Sequence, residues 1–111
     1  MKNKQLFKTA ILATFALLSL SALRISETNK IKVGKAPQYA TISPDGSSLL
    51  VTNFFSDEIS VIDLRTHKEK ESFYAGVQPL GIAMTPTGDR ILVTNMRNGL
   101  IKVIDARNYE I

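Results

Sequence analysis

The run ISPDGSSLLVTN at residues 42–53 returns as MTPTGDRILVTN at residues 84–95. The offset is 42 residues, and residues 33–69 lie over 75–111 at that offset without a gap. Identical pairs include Gly34/Gly76, Pro37/Pro79, Pro44/Pro86, Gly46/Gly88, Val51/Val93, Thr52/Thr94, Asn53/Asn95, Val61/Val103, Ile62/Ile104, Asp63/Asp105 and Arg65/Arg107. They concentrate at glycines, prolines and apolar runs, the positions that set backbone geometry and core packing. A period of this length marks an architecture in which each repeat is one supersecondary unit that buries its apolar face against the next.

Each unit reads as short strands separated by turns. Ser43-Pro44-Asp45-Gly46 puts Pro where φ near −65° is wanted and Gly where φ can turn positive, and its counterpart is Thr85-Pro86-Thr87-Gly88. After these come Leu49–Thr52 and Ile91–Thr94, aliphatic or β-branched and unbroken, as expected of strands covered on both faces. The next strands are Ile59–Leu64 and Ile101–Ala106, the second preceded by the hairpin signal Asn98-Gly99. Glu69–Ala75 supplies a fourth strand to the first unit. Four antiparallel strands in about 42 residues correspond to one propeller blade, so the expected fold is all-β, with β-propeller-type four-stranded antiparallel blades.

The two lines, each followed by a Val-Ile-Asp strand and separated by a G-x-x-P segment, resemble the YVTN family of β-propeller repeats. The resemblance covers about residues 29–111. Departures are Leu50 and Leu92 where the family has Tyr, Tyr39 where Gly is common, and Thr87 in place of Asp. Residues 29–33 align with 71–75 and therefore predict an opening strand of the fourth type. With four strands in one blade and three in the next, the expected total is eight, about two blades' worth. Propellers close with about 4–8 blades, which leaves two readings open. The chain is a fragment of a longer propeller, or several copies assemble into a ring, the opening strand of one completing the last blade of another.

The start of the chain reads differently. Lys2, Lys4 and Lys8 precede an uncharged run from Thr9 to Leu23, followed by Arg24. A positive start, a short apolar core and small residues Ser19, Ser21 and Ala22 form the pattern of a signal peptide over residues 1–22, an N-terminal signal helix ahead of repeats in residues 23–111 (about 29–75 and 76–111). At about 15 residues the run falls short of a membrane span. Export to a periplasmic or extracellular location follows as an expectation.

Of 111 residues, 14 are Lys or Arg and 10 are Asp or Glu, a net charge of +4. Without residues 1–22 the balance is 11 against 10, a net of +1, so the basicity belongs to the leader and gives no support to nucleic-acid binding. The absence of cysteine excludes disulfides, thiolate metal sites, a thiol nucleophile and Cys-linked haem.

Ligands of propellers meet loops at one end of the blades or the central channel. The second-to-third strand loops differ most between the units, Asn-Phe-Phe-Ser-Asp against Asn-Met-Arg-Asn-Gly. Phe54 and Phe55 are candidate anchors, with Asp57, Arg97 and Asn98 completing a candidate ligand-binding set. Asn53/Asn95 and Asp63/Asp105 recur in both units, which argues for turn capping rather than catalysis. His67 stands alone in a turn at the other end. No Gly-rich phosphate loop, nucleophile elbow or paired-His spacing is present. The expectation is a non-catalytic binding or scaffold module with no cofactor, its partners a protein or cell-surface ligand and further blades in the same chain or in other copies. The alternative, implied by propellers similar to this family, is part of a lactonase-like hydrolase or a haem- or quinone-dependent oxidoreductase, for which His67, Met84 and Met96 are the available ligands.

Overall fold

A computed structural model describes residues 29–111, of which 31–111 form one compact unit. The expected signal segment lies outside the described residues. Seven strands follow in order: β1 (Pro37–Ile42), β2 (Ser48–Asn53), β3 (Glu58–Asp63), β4 (Lys68–Tyr74), β5 (Pro79–Met84), β6 (Arg90–Asn95) and β7 (Leu100–Asp105). They make a four-stranded sheet, β1-β2-β3-β4, and a three-stranded sheet, β5-β6-β7, with every neighbour antiparallel. Strands β3, β4 and β7 begin and end one residue earlier than their apolar runs suggest. The cause is visible at Asp63, whose Oδ1 accepts the N–H of Arg65 at 2.8 Å and so starts the turn at the end of β3.

Backbone geometry repeats with the sequence. Among the described residues, eight of the nine with positive φ form pairs 42 residues apart: Ala36 and Gln78 (53° and 51°), Gly46 and Gly88 (74° and 75°), Asp57 and Gly99 (59° and 66°), His67 and Tyr109 (57° and 60°), the exception being Gly76 at 90°. Both first strands also carry the same irregularity, between Pro37 and Ala40 and between Pro79 and Ile82. Shared turn geometry fixes strand register, and register fixes which side chains share a face.

The core lies between the two sheets. Leu50, Ile59 and Val61 of the first sheet pack with Ile91, Val93 and Ile104 of the second, flanked by Phe73, Ile82, Met84 and Tyr109. The Phe73 and Tyr109 rings stack at 4.2 Å, 6° from parallel. Buried Thr52 donates its hydroxyl to the Leu80 carbonyl on β5 at 2.8 Å, a polar tie between the sheets.

Residues 29–33 form no strand, which corrects the expected count from eight to seven. In the first sheet β4 already occupies the outer edge of β3. With no free β3 edge to join, the segment has no ladder. Coverage on both faces, expected of Ile91–Thr94, fails at β6, where Leu92 is partly exposed and Thr94 exposed, and the same open face of β7 leaves Ile101 66% and Val103 46% exposed.

Candidate functional site

One end of the two sheets collects the β2–β3 loop, the β6–β7 loop and the segments that lead into β1 and β5. Strand register makes this unavoidable, because Pro37 pairs with Asn53 and Pro79 with Asn95, putting each lead-in beside the end of the following strand. Backbone hydrogen bonds hold the loops there. The N–H groups of Phe54 and Phe55 donate to the carbonyls of Ala36 and Lys35 at 3.0 and 3.1 Å, and Met96 N–H donates to Gln78 C=O at 3.1 Å.

The repeated asparagines sit beneath. Both are buried, and their amides serve different partners: Asn95 Nδ2 donates to the carbonyls of Ala75 and Val77, whereas Asn53 Nδ2 donates to Ser60 Oγ at 2.8 Å. Position 102, equivalent to Ser60, is Lys, and Lys102 Nζ instead lies 5.5 Å from the centre of the Tyr74 ring. The glycine of each G-x-x-P segment packs on this layer. A Cβ at Gly34 would meet Ser56 Oγ at 2.5 Å, and one at Gly76, where φ is +90°, would meet Asn95 Nδ2 at 2.8 Å.

Of the predicted site residues, Phe55 is 71% exposed and meets the half-buried Phe54 edge-on, ring centres 5.2 Å apart. Arg97 and Asn98 are exposed in the equivalent loop. Asp57 is half-buried and ties the loop down, its Oδ1 accepting Gln78 N–H at 2.9 Å and its carbonyl accepting Ala75 N–H at 3.2 Å. That carboxylate couples the first sheet's loop to the linker into the second sheet.

Sequence reasoning missed Tyr74 and Leu100 and singled out Met96 only as a redox ligand; all three are also exposed at this end. A signal existed in the repeat itself, since apolar Leu100 stands where the first unit has Glu58. The result is a set of exposed apolar side chains with Arg97 among them, mounted on a hydrogen-bonded frame.

The opposite end is built from turns. Asp45 Oδ1 accepts the Ser43 hydroxyl at 2.6 Å and the Ser47 N–H and hydroxyl at 3.0 and 2.8 Å. Those bonds, the Ser43 hydroxyl foremost, pull its pKa down to about 2. In the second unit Thr87 replaces this Asp, and Asp89, two residues on, takes over by accepting the hydroxyls of Thr85 and Thr87 at 2.6 Å each. Asp105 is held at about 2 chiefly by the Arg107 guanidinium beside it. The Tyr109 phenol is pushed up to about 12 by burial and by its 2.8 Å hydrogen bond to Glu71. A cleft of about 180 Å³ between the sheets here is lined by Ser48, Lys70, Met84 and Tyr109 among others, with Lys70 Nζ donating to Ser48 Oγ at 3.1 Å. His67 is exposed in the β3–β4 turn, its N–H donating to Asp63 C=O at 2.8 Å. Met84 packs against the core and Met96 is in the loop at the other end, so topology separates Met96 from the other two candidate redox ligands.

No protein-family model matches the chain, and no curated protein matches it. Solved structures do match. Hydrazine synthase of Kuenenia stuttgartiensis is 30% identical, with a TM-score of 0.66, over 73% of this chain and 23% of its own. The dihydro-heme d1 dehydrogenase NirN, in complex with DHE, is 25% identical with a TM-score of 0.60, over 68% of this chain and 16% of its own. Apo AztD from Citrobacter koseri is 18% identical with a TM-score of 0.63, over 72% and 23%. The β-propeller domain of Cps50 (Swd1) from Myceliophteria thermophila matches at 12% identity with a TM-score of 0.60, over 71% of this chain and 24% of its own, and the two antiparallel sheets are β-propeller blades. This chain spans less than a quarter of the length of each of these four structures.

Proposed function

We propose that the chain is an exported propeller module of the YVTN-repeat class that binds a protein or cell-surface ligand through its blade-end loops, without catalysis. The observation that carries this reading is the exposed apolar set Phe55, Tyr74, Met96 and Leu100 at the end of the sheets that also exposes Arg97, beside loops pinned by backbone hydrogen bonds. Rigid aromatic anchors beside an Arg have the composition of protein-binding hot spots, and a fixed frame lowers the entropy lost on binding. Phe54 supports Phe55 from below, Asn98 adds polar donors and acceptors, and Asp57 positions the loop. The YVTN assignment rests on the G-x-x-P, S-P-D-G and V-T-N segments and their 42-residue spacing.

The test is selection of a displayed random-peptide library on the immobilised 111-residue chain. Selected peptides lose about tenfold or more in affinity with Phe55→Ala or Arg97→Ala and keep it with Lys68→Ala at the opposite end. Peptides indifferent to both loop variants would overturn the loop reading. The competing assignment is part of a haem- or quinone-dependent oxidoreductase, for which the matched dihydro-heme d1 dehydrogenase speaks, or of a lactonase-like hydrolase. Turnover of a lactone panel, or a haem absorption band retained by the purified chain, would replace the non-catalytic reading.

A further inference from the structure

We propose that the outer face of the second sheet docks a second copy of this chain, head to tail, as the first sheet docks the second within one copy. This stands apart from the loop-binding reading. The face of the first sheet covered by its neighbour is Leu50, Thr52, Ile59 and Val61, each at most 3% exposed. Moved by 42 residues, that face becomes Leu92, Thr94, Ile101 and Val103, the same four residue types in the same order. Here Ile101 is 66% exposed, Val103 46%, and Thr94 is exposed as well. One sequence thus carries the same surface twice, once covered and once open.

The structure also shows what fits it. The covering sheet presents Ile82, Met84, Ile91, Val93 and Ile104. Their equivalents in the first sheet are Ala40, Ile42, Leu49, Val51 and Ile62, all apolar. Ile42 is 58% exposed, and Leu49 and Val51 are partly exposed. Ile62 is already buried, so the first four make the contact. The polar tie carries over too. Thr94 Oγ1 accepts Gly81 N–H at 2.7 Å, as Thr52 Oγ1 accepts Tyr39 N–H at 3.1 Å while donating to Leu80 C=O. The carbonyl equivalent to Leu80 is Gln38 of the incoming copy.

Strand pairing gives an independent reason for the same arrangement. Among the described residues β7 is a sheet edge, in the place where β3 carries β4. Residues 30–33 align with 72–75 at the end of β4 and are not part of any strand of the described residues. Phe73 lies across from Ile59, so the same register puts Ile31 of the incoming copy across from Ile101. It then runs through Gly34–Pro37 into that copy's β1, as β4 runs into β5. One continuous piece therefore supplies the fourth strand and the covering sheet. The register also sets Lys30 across from Lys102, a like-charge pair that salt screens, so association strengthens with ionic strength. A head-to-tail contact repeated by rotation closes a ring, and closure at about 4–8 blades needs about two to four copies.

The experiment is the molar mass of the 111-residue chain by light scattering across a concentration series. Discrete species of two to four copies are expected. Ile42→Glu alone, or Ile101→Glu with Val103→Glu, gives a single copy with unchanged β circular dichroism, because these side chains are exposed in one copy. An equimolar mixture of the two variants recovers a dimer and nothing larger, since each retains one intact face. A monomeric native chain would overturn the proposal, as would Ile42→Glu that still associates, a mixture that does not, or aggregation that persists in both variants.

Discussion

Ile59 and Ile101 are the same residue at equivalent positions of the two units, which makes a matched pair of truncations. Ile59 is fully buried between the sheets, whereas Ile101 is two-thirds exposed. Ile59→Ala removes packed methyl and methylene groups and leaves a cavity between two sheets, a loss of about 2–5 kcal/mol. Ile101→Ala removes atoms that are mostly in water already and costs about 0.5 kcal/mol. The assay is urea unfolding followed by circular dichroism, in dilute solution where a single copy dominates. A 3 kcal/mol loss at Ile59 corresponds to a thermal midpoint lower by roughly 12–24 °C for a domain of this size, and the Ile101 variant stays within a few degrees. At higher concentration the proposed second copy covers Ile101, so its variant should lose further stability by mass action. Equal costs at the two positions in dilute solution would refute the account of how the sheets pack.

Three further outcomes are expected. Gly76→Ala, at φ +90° with Asn95 Nδ2 2.8 Å from the new Cβ, destabilises by more than Gly99→Ala, where φ is +66° and nothing lies within 4 Å. The latter carries only the left-handed backbone penalty of about 1–2 kcal/mol, and chemical denaturation of both variants separates the terms. In alkali, Tyr109 contributes stability that is complete below its unfolded pKa near 10 and is lost as pH rises toward about 12. Unfolding midpoints measured from pH 9 to 12 therefore fall less for Tyr109→Phe than for the native chain. In acid the sign reverses: Asp45 and Asp105 contribute stability present above their unfolded pKa near 4 and lost as pH falls toward about 2. Asp45→Asn with Asp105→Asn should flatten urea midpoints between pH 5 and pH 2.

Turn chemistry and the 42-residue spacing made the blade legible before any coordinates, because Pro44-Asp45-Gly46 and Asn98-Gly99 set φ locally and the apolar runs between them leave little choice of strand. Phe55, Arg97 and Asn98 were equally readable as loop residues. Burial was not, and the reason is physical. Ile59 and Ile101 have the same local context, and only the presence or absence of a neighbouring sheet decides that one is covered and the other open. The same holds for residues 30–33, whose sequence matches the end of β4 but whose counterpart edge on β3 is already taken by β4. Asp57 read as a loop acid facing a ligand, but its capture of Gln78 N–H depends on the linker passing within hydrogen-bond distance, a tertiary fact. Asp89 standing in for the missing Asp at Thr87 shows that a turn needs an acceptor in reach rather than at one fixed position.

The central claim is that residues 31–111 hold two propeller blades packed face to face. The most direct measurement is the nuclear Overhauser effect between the rings of Phe73 and Tyr109, which are 36 residues apart in sequence and stacked at 4.2 Å across the two sheets. In dilute solution the account predicts strong ring-to-ring cross-peaks. Their absence from a folded chain with assigned aromatic resonances would contradict it.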